Sequence, residues 1–224
     1  MKANLKEKII RVTLLFAGLV IAHLGVTLFK LTEMGTDPFN VLVLGLQNLI
    51  GKTGLTDLSH GTVHMCVCFL IIVILLFVDR SYVRIGTVVC MLCGGPIIDF
   101  FTWLLKGFDI AGAILPVKIL VLVLGCVILA FGMSIVIRSE AGTGPNDLVA
   151  VVISDKSRIR FGIVRIAVDV VFVLAGLLSG YKISGPESFT GTAVCAFLVG
   201  PAAEFCMPFS ASLVNHTVKY FNAE

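Results

Sequence analysis

The segment Glu33-Met-Gly-Thr-Asp-Pro-Phe-Asn40 recurs 107 residues further on as Glu140-Ala-Gly-Thr-Gly-Pro-Asn-Asp147. The stretch before each copy matches at the same offset, with Gly18 and Gly25 falling on Gly125 and Gly132. A second block, Gly86-Thr-Val-Val-Cys-Met-Leu-Cys-Gly-Gly-Pro-Ile-Ile-Asp-Phe100, recurs as Gly191-Thr-Ala-Val-Cys-Ala-Phe-Leu-Val-Gly-Pro-Ala-Ala-Glu-Phe205. Seven of those fifteen positions are identical, and Asp99 falls on Glu204. Two matched blocks in the same order and at nearly the same separation identify two fused copies of one unit, about residues 9–105 and 113–214. Whatever this chain folds into must accommodate the unit twice. Among membrane proteins, such duplication is typical of transporters.

Composition places the chain in a bilayer. Hydrophobic residues make up 58% of it and the mean hydropathy is +1.04, far above the soluble range. Six apolar runs approach the roughly 18–20 residues needed to cross a bilayer. They are Ile9–Phe29, Val63–Val78 with flanking residues, Val83–Leu105, Ala113–Ile137, Ile163–Gly180 and Phe189–Val214. The expected architecture is one all-α, polytopic membrane domain over residues 1–224, with the lipid bilayer as its main partner. Lys2, Lys6, Lys8 and Arg11 precede the first run as in a signal peptide. That run is too long for a signal core, and its repeat counterpart is internal, so it is expected to stay. Most of the seven cysteines lie within apolar spans, among them Cys66, Cys68, Cys90, Cys93, Cys126 and Cys195. They read as small packing residues; no metal or cofactor is expected.

Two further apolar stretches are too short to cross. Pro38–Ile50 would cover about 20 Å as a helix and Pro145–Ser154 about 15 Å, against a core of roughly 30 Å. Each reads as re-entrant or interfacial, which is tolerated where backbone is buried in protein or lines a cavity. Three full spans per unit is an odd number, so the second copy must enter the membrane upside down, giving a 3+3 inverted repeat. Charge supports this. With both termini cytoplasmic, the inside segments carry Lys2, Lys6, Lys8, Arg11, Arg80, Arg84, Arg138, Lys156, Arg158, Arg160, Arg165 and Lys219, and the outside ones only Lys30, Lys52, Lys106, Lys118 and Lys182. These basic residues hug span ends, so no nucleic-acid partner is expected. The competing topology has eight crossings in two parallel units and requires both short segments to span.

The candidate site residues follow from the repeats. Gly35-Thr36-Asp37-Pro38 and Gly142-Thr143-Gly144-Pro145 each encode a chain break followed by a helix start, through Gly freedom, capping residues and Pro at the first helical turn. A helix N-terminus exposes N–H groups and partial positive charge, which favour an anion or a carboxylate. With Asn40, Asn146 and Asp147 in the first turns, these form the candidate substrate-lining set. Pro96 and Pro201 interrupt two spans, each with an acid three residues on, Asp99 and Glu204. Asp169 stands mid-span four residues after Arg165, a spacing that permits an internal ion pair. Intramembrane acids are functional candidates by default, so Asp169, Arg165, Asp99 and Glu204 are the candidates for ion coupling. His23 reads as a packing histidine. Metalloprotease, serine-hydrolase elbow, Walker and zinc patterns are absent, so the chain is not expected to be an enzyme.

Through Gly35-Thr-Asp-Pro-Phe39, Gly142-Thr-Gly-Pro-Asn-Asp147 and the two Gly-Pro-x-x-acid blocks, the chain resembles the YczE/YyaS/YitT family of bacterial integral membrane proteins. The likeness is to the YczE branch, without the C-terminal soluble domain of YitT-like members. It implies a multi-pass protein of the bacterial cytoplasmic membrane and says little about substrate. The expected function is a secondary transporter or exporter of a small molecule, with its site at the repeat interface. The alternative is a non-transporting scaffold or regulator of a partner protein. A homodimer is compatible with either.

Overall fold

Proline sets where the chain turns into helix. It opens four of the eight α-helices found among the described residues, at the first turn where its missing N–H costs nothing. The structure, a computed structural model, describes residues 5–54, 58, 60–182 and 185–223. The helices are α1 (Leu5–Leu31), α2 (Pro38–Gly51), α3 (His60–Val78), α4 (Ile85–Leu104), α5 (Leu115–Arg138), α6 (Pro145–Ser157), α7 (Phe161–Leu178) and α8 (Pro186–Ala223). No strand occurs among these residues.

Helices α1, α4, α5, α7 and α8 are long and apolar enough to cross a membrane. Helix α3 forms where the remaining span was expected; its described apolar portion, Thr62–Val78, falls just short of that length. The two short segments are helices of 14 and 13 residues, about 21 and 20 Å long. Helix α6 runs three residues past the expected Ser154. Asp155, Lys156 and Ser157 are polar but helix-compatible, and the helix stops only where Arg158 turns left-handed at φ 59°. Helix α8 likewise continues past Val214 to Ala223. Helices α4 and α8 pass through Pro96, Pro201 and Pro208 without losing helical structure, so the second repeated block is a continuous helix rather than a break.

The central seam is α1 against α5. Gly18 meets Gly132 and Ile135, while Gly25 meets Gly125 and Leu129, so the two helices run antiparallel with glycine stripes interlocked. A β-carbon on Gly125 would lie 2.8 Å from the Gly25 carbonyl oxygen, and one on Gly132 2.6 Å from that of Gly18. Small residues permit this approach, and in lipid close packing is what holds helices together. Helix α8 packs on α5, α7 lies against both α2 and α8, and α4 packs on α1. The main core gathers Phe29, Met34, Phe39, Val43, Leu122, Met133, Val168, Phe172 and Val199 between these helices.

The outward faces reverse the pattern of a water-soluble protein. Phe77, Leu178 and Phe205 are 87–89% exposed, and further large apolar side chains line the outsides of α3, α4, α5, α7 and α8. Apolar exposure on this scale fits a lipid solvent.

The two ends differ in charge. At one end Arg11 pairs with Glu7 and Glu140 and donates to the Ser139 carbonyl oxygen, Arg84 donates to the Glu140 carbonyl oxygen, and Lys156 pairs with Asp79. At the other, Lys118 pairs with Glu187, and Asn48 donates to the Gly180 carbonyl oxygen.

Candidate functional site

Both chain breaks are built alike. Glu33 and Glu140 sit at φ 54° and 56°, followed by Gly35 and Gly142 at φ 113° and 142°. Such angles suit glycine and strain other residues. Thr32 and Ser139 each cap backward, donating to Phe29 O and Val136 O at 2.7 Å, and each accepts a backbone N–H two residues on, from Met34 and Ala141, at 3.2 Å. Each break then docks on the second repeated block of the other half. The Thr36 N–H donates to Thr192 Oγ1 at 3.2 Å, and that hydroxyl donates to the Thr36 carbonyl oxygen at 2.9 Å. The Thr143 N–H donates to Thr87 Oγ1 at 3.4 Å, and the Gly86 N–H donates to the Ala141 carbonyl oxygen at 2.9 Å. Gly86 and Gly191 leave no side chain where the opposite break crosses.

Past each break a short helix starts with an acid. Asp37 is the N-cap of α2; its carboxylate accepts the Asn40 N–H at 3.1 Å and the Asn40 side-chain amide. In α6 the acid has moved into the first turn, where Asp147 accepts from the Asn146 amide at 2.9 Å. The positive ends of both short helices are therefore met by carboxylates of the chain itself.

Asp147 also joins the buried pair on α7. Arg165 donates through Nε to Asp169 Oδ2 at 3.0 Å and through Nη1 to Asp147 Oδ1. Arg165 is 4% exposed and Asp169 1%. The guanidinium reaches this place because Gly200 of α8 has no side chain: a β-carbon there would lie 2.8 Å from Arg165 Cβ. Asp169 Oδ1 is buried with no hydrogen-bond partner. His23 donates through Nδ1 to the Leu19 carbonyl oxygen at 2.8 Å, and its Nε2 fills the space left by Gly94. Aromatic groups stand beside the cluster. Phe39 meets His64 edge-on, with ring centroids 5.2 Å apart, and Phe172, one turn beyond Asp169, at 5.4 Å.

The structure thus brings Asp147, Arg165 and Asp169 together, with Asp37, Asn40 and Asn146 at the neighbouring helix starts. Gly35, Thr36, Gly142 and Thr143 serve as the turns and docking points. It separates the other two acids. Glu204 lies near the charged end, accepting from Arg160 Nε and the Gly162 N–H, both at 2.8 Å, and so caps the start of α7. Asp99 is exposed on α4. Phe39, Phe172 and His64 did not stand out in the sequence. The signals were that Phe39 belongs to a repeated block whose second copy has Asn146 there, and that His64 falls where the second copy has Arg165. Among the described residues no group of three or more His, Cys, Asp or Glu side chains is placed to hold a metal ion. Two clefts, of about 370 and 380 Å³, open on outer faces, one between α1 and α4 along Phe16, Val20 and Pro96, the other by Val73 and Arg80; neither is lined by the buried cluster.

The fold defines an all-helical, polytopic membrane protein with charged groups paired in its interior. Residues 9–208 match the model of the family of unknown function DUF6198, and the chain belongs to that family. It is 28% identical to the uncharacterized membrane protein YczE of Bacillus subtilis (strain 168) over 214 residues, 95% of this chain and 93% of that protein. It is 23% identical to the uncharacterized protein YyaS of the same organism over 192 residues, 85% of this chain and 89% of that one. The resemblance read from the two repeated blocks is thereby confirmed. No solved structure matches.

Proposed function

We propose that this protein is a small secondary transporter of the bacterial cytoplasmic membrane, working by alternating access around Asp147, Arg165 and Asp169. The observation that carries the reading is this charged triad, sealed inside an apolar bundle where a broken segment meets a spanning helix. Ionised groups in a bilayer interior are costly and mark ion or substrate paths. Coupling to protons or sodium is assigned to Asp169 with Arg165. Glu204 is engaged with Arg160 at the charged end, and Asp99 is exposed, so both stand second in that role.

An inverted 3+3 repeat underlies the proposal. It is supported by the antiparallel seam of α1 and α5, which occupy equivalent places in the two sequence copies. The reciprocal docking of Thr36 on Thr192 and Thr143 on Thr87 supports it again. The orientation, with both termini cytoplasmic, is supported by the gathering of Arg11, Arg84 and Lys156 contacts at one end. The absence of a nucleophile or metal motif in the sequence supports a carrier over an enzyme.

The test is cysteine accessibility in cells. Single cysteines replace Thr36, Asn40, Thr143 and Asn146 in a Cys-less background and are probed with a small impermeant thiol reagent from each side. Labelling that changes side with an imposed ion gradient is the expected result. The rival reading, a non-transporting scaffold for a partner protein, is favoured by the position of both clefts on outer faces. Protection of all four cysteines under every gradient would establish that reading and remove transport.

A further inference from the structure

We propose that the ligand of this cluster is an organic ammonium ion, whose charge takes over from Arg165 on Asp169 and Asp147; this rests on the transporter reading for bringing a substrate there. The charge inventory points to a cation. Carboxylates come from three elements: Asp37 at the start of α2, Asp147 in α6 and Asp169 in α7. Against them stands one guanidinium, Arg165, which already bridges two of the three. The other titratable groups near the cluster are His23 of α1, His64 of α3 against Phe39, and the thiols of Cys68, Cys90 and Cys195. Among the described residues no second Lys or Arg side chain pairs with these acids. An arriving anion would meet short-helix N-termini already occupied by Asp37 and Asp147.

Asp169 Oδ1 gives the ligand's geometry. This oxygen is fully buried and unpartnered beside the guanidinium that holds its twin. A buried acceptor left unmade carries a large desolvation penalty, and it is relieved by an N–H donor that brings positive charge. A sodium ion brings no N–H donor to that oxygen. An alkyl- or aralkylammonium does. Its N–H groups serve the carboxylate, and its apolar part suits an interior that holds Phe39 and Phe172, the latter one turn beyond Asp169.

The experiment uses three monocyclic probes of similar size that differ in charge: benzylammonium, benzyl alcohol and benzoate. Thermal unfolding of the purified full chain in detergent is recorded with each probe at pH 7. Benzylammonium is expected to raise the Tm, with benzyl alcohol and benzoate giving no rise. Asp169→Asn should abolish the shift. Asp37→Asn, which leaves the Arg165 pairs intact, should reduce it, and this second variant keeps the test open if the first does not fold. No shift with benzylammonium, or a shift with benzoate instead, overturns the assignment. Uptake of labelled benzylammonium into proteoliposomes separates this inference from the one beneath it. Stabilisation without uptake leaves the cation site standing and removes the transporter. Gradient-driven transport of a neutral or anionic solute without ammonium stabilisation does the reverse.

Discussion

Replacing Arg165 with methionine tests whether this residue holds the interior together by charge. The substitution keeps an unbranched apolar stem but removes the guanidinium, the one cation that pairs with both Asp147 and Asp169 among the described residues. Asp169 is 1% exposed and Oδ1 already lacks a partner, so Oδ2 would be stranded as well. Breaking a buried ion pair from one side costs about 3–5 kcal/mol, because the remaining charge stays desolvated. Asp169 is left with no donor while Asp147 keeps the Asn146 amide, which places Arg165→Met within that range. Removing the acids too, as Arg165→Met with Asp147→Asn and Asp169→Asn, leaves only neutral polar groups and should recover most of the loss, since a buried charge cluster contributes little net stability against neutral isosteres. Reversible unfolding in mixed detergent and SDS micelles gives each free energy directly. A loss below about 1 kcal/mol for the single variant, or a triple variant no more stable than the single one, would refute the account.

Three other outcomes follow from local geometry. Gly176→Leu drives a side chain into the Val41 backbone, and should cost at least the 1–3 kcal/mol typical of overpacking or prevent folding, whereas Gly95→Ala, with nothing within 4 Å, should leave the melting curve almost unchanged. Thr192→Val and Thr87→Val each remove the acceptor of a backbone N–H from the opposite half, and each should cost about 1–3 kcal/mol by the same unfolding assay. Asp79, in the connection between α3 and α4, is held below its ordinary pKa of 3.8 by the Ser81 hydroxyl first, then the Ser81 N–H and the Lys156 ammonium. A depressed carboxyl pKa contributes stability above the ordinary value that is lost as pH falls through the folded one. Ser81→Ala should therefore move the Asp79 titration, followed by carboxyl carbon NMR, to higher pH; an unmoved curve would count against the assignment.

The chain breaks were legible because they rest on local chemistry. Glycine, a capping acid and proline in that order dictate a turn and a helix start wherever they lie, and Asp37 and Pro38 behave accordingly. The Arg165–Asp169 pair was legible for the same reason, being fixed by helical spacing. Asp147 joining that pair was not, because it depends on how α6 packs on α7, and Gly200, which admits the guanidinium, lies on a third helix. Asp99 and Glu204 show the limit most clearly. They share a block and a spacing, yet one is exposed and the other caps α7 through Gly162. Depth and facing are set by packing partners that no repeat encodes. The ends of α6 and α8 ran past the apolar runs because hydropathy marks where lipid stops, and helix propensity does not stop with it.

The crossing of α2 and α7 is made by bare backbone, Gly45 against Gly176 and Gly176 against Val41. The corresponding crossing of α3 and α6 is made by side chains, Leu75, Leu148 and Val152. These two contacts differ in compliance. Backbone wedged on backbone has no rotamers to adjust, so α2 and α7 must travel as one piece. Branched side chains can re-seat against each other, so α3 can slide over α6 in small steps. The two matched parts of the sequence are therefore joined by contacts of unequal stiffness.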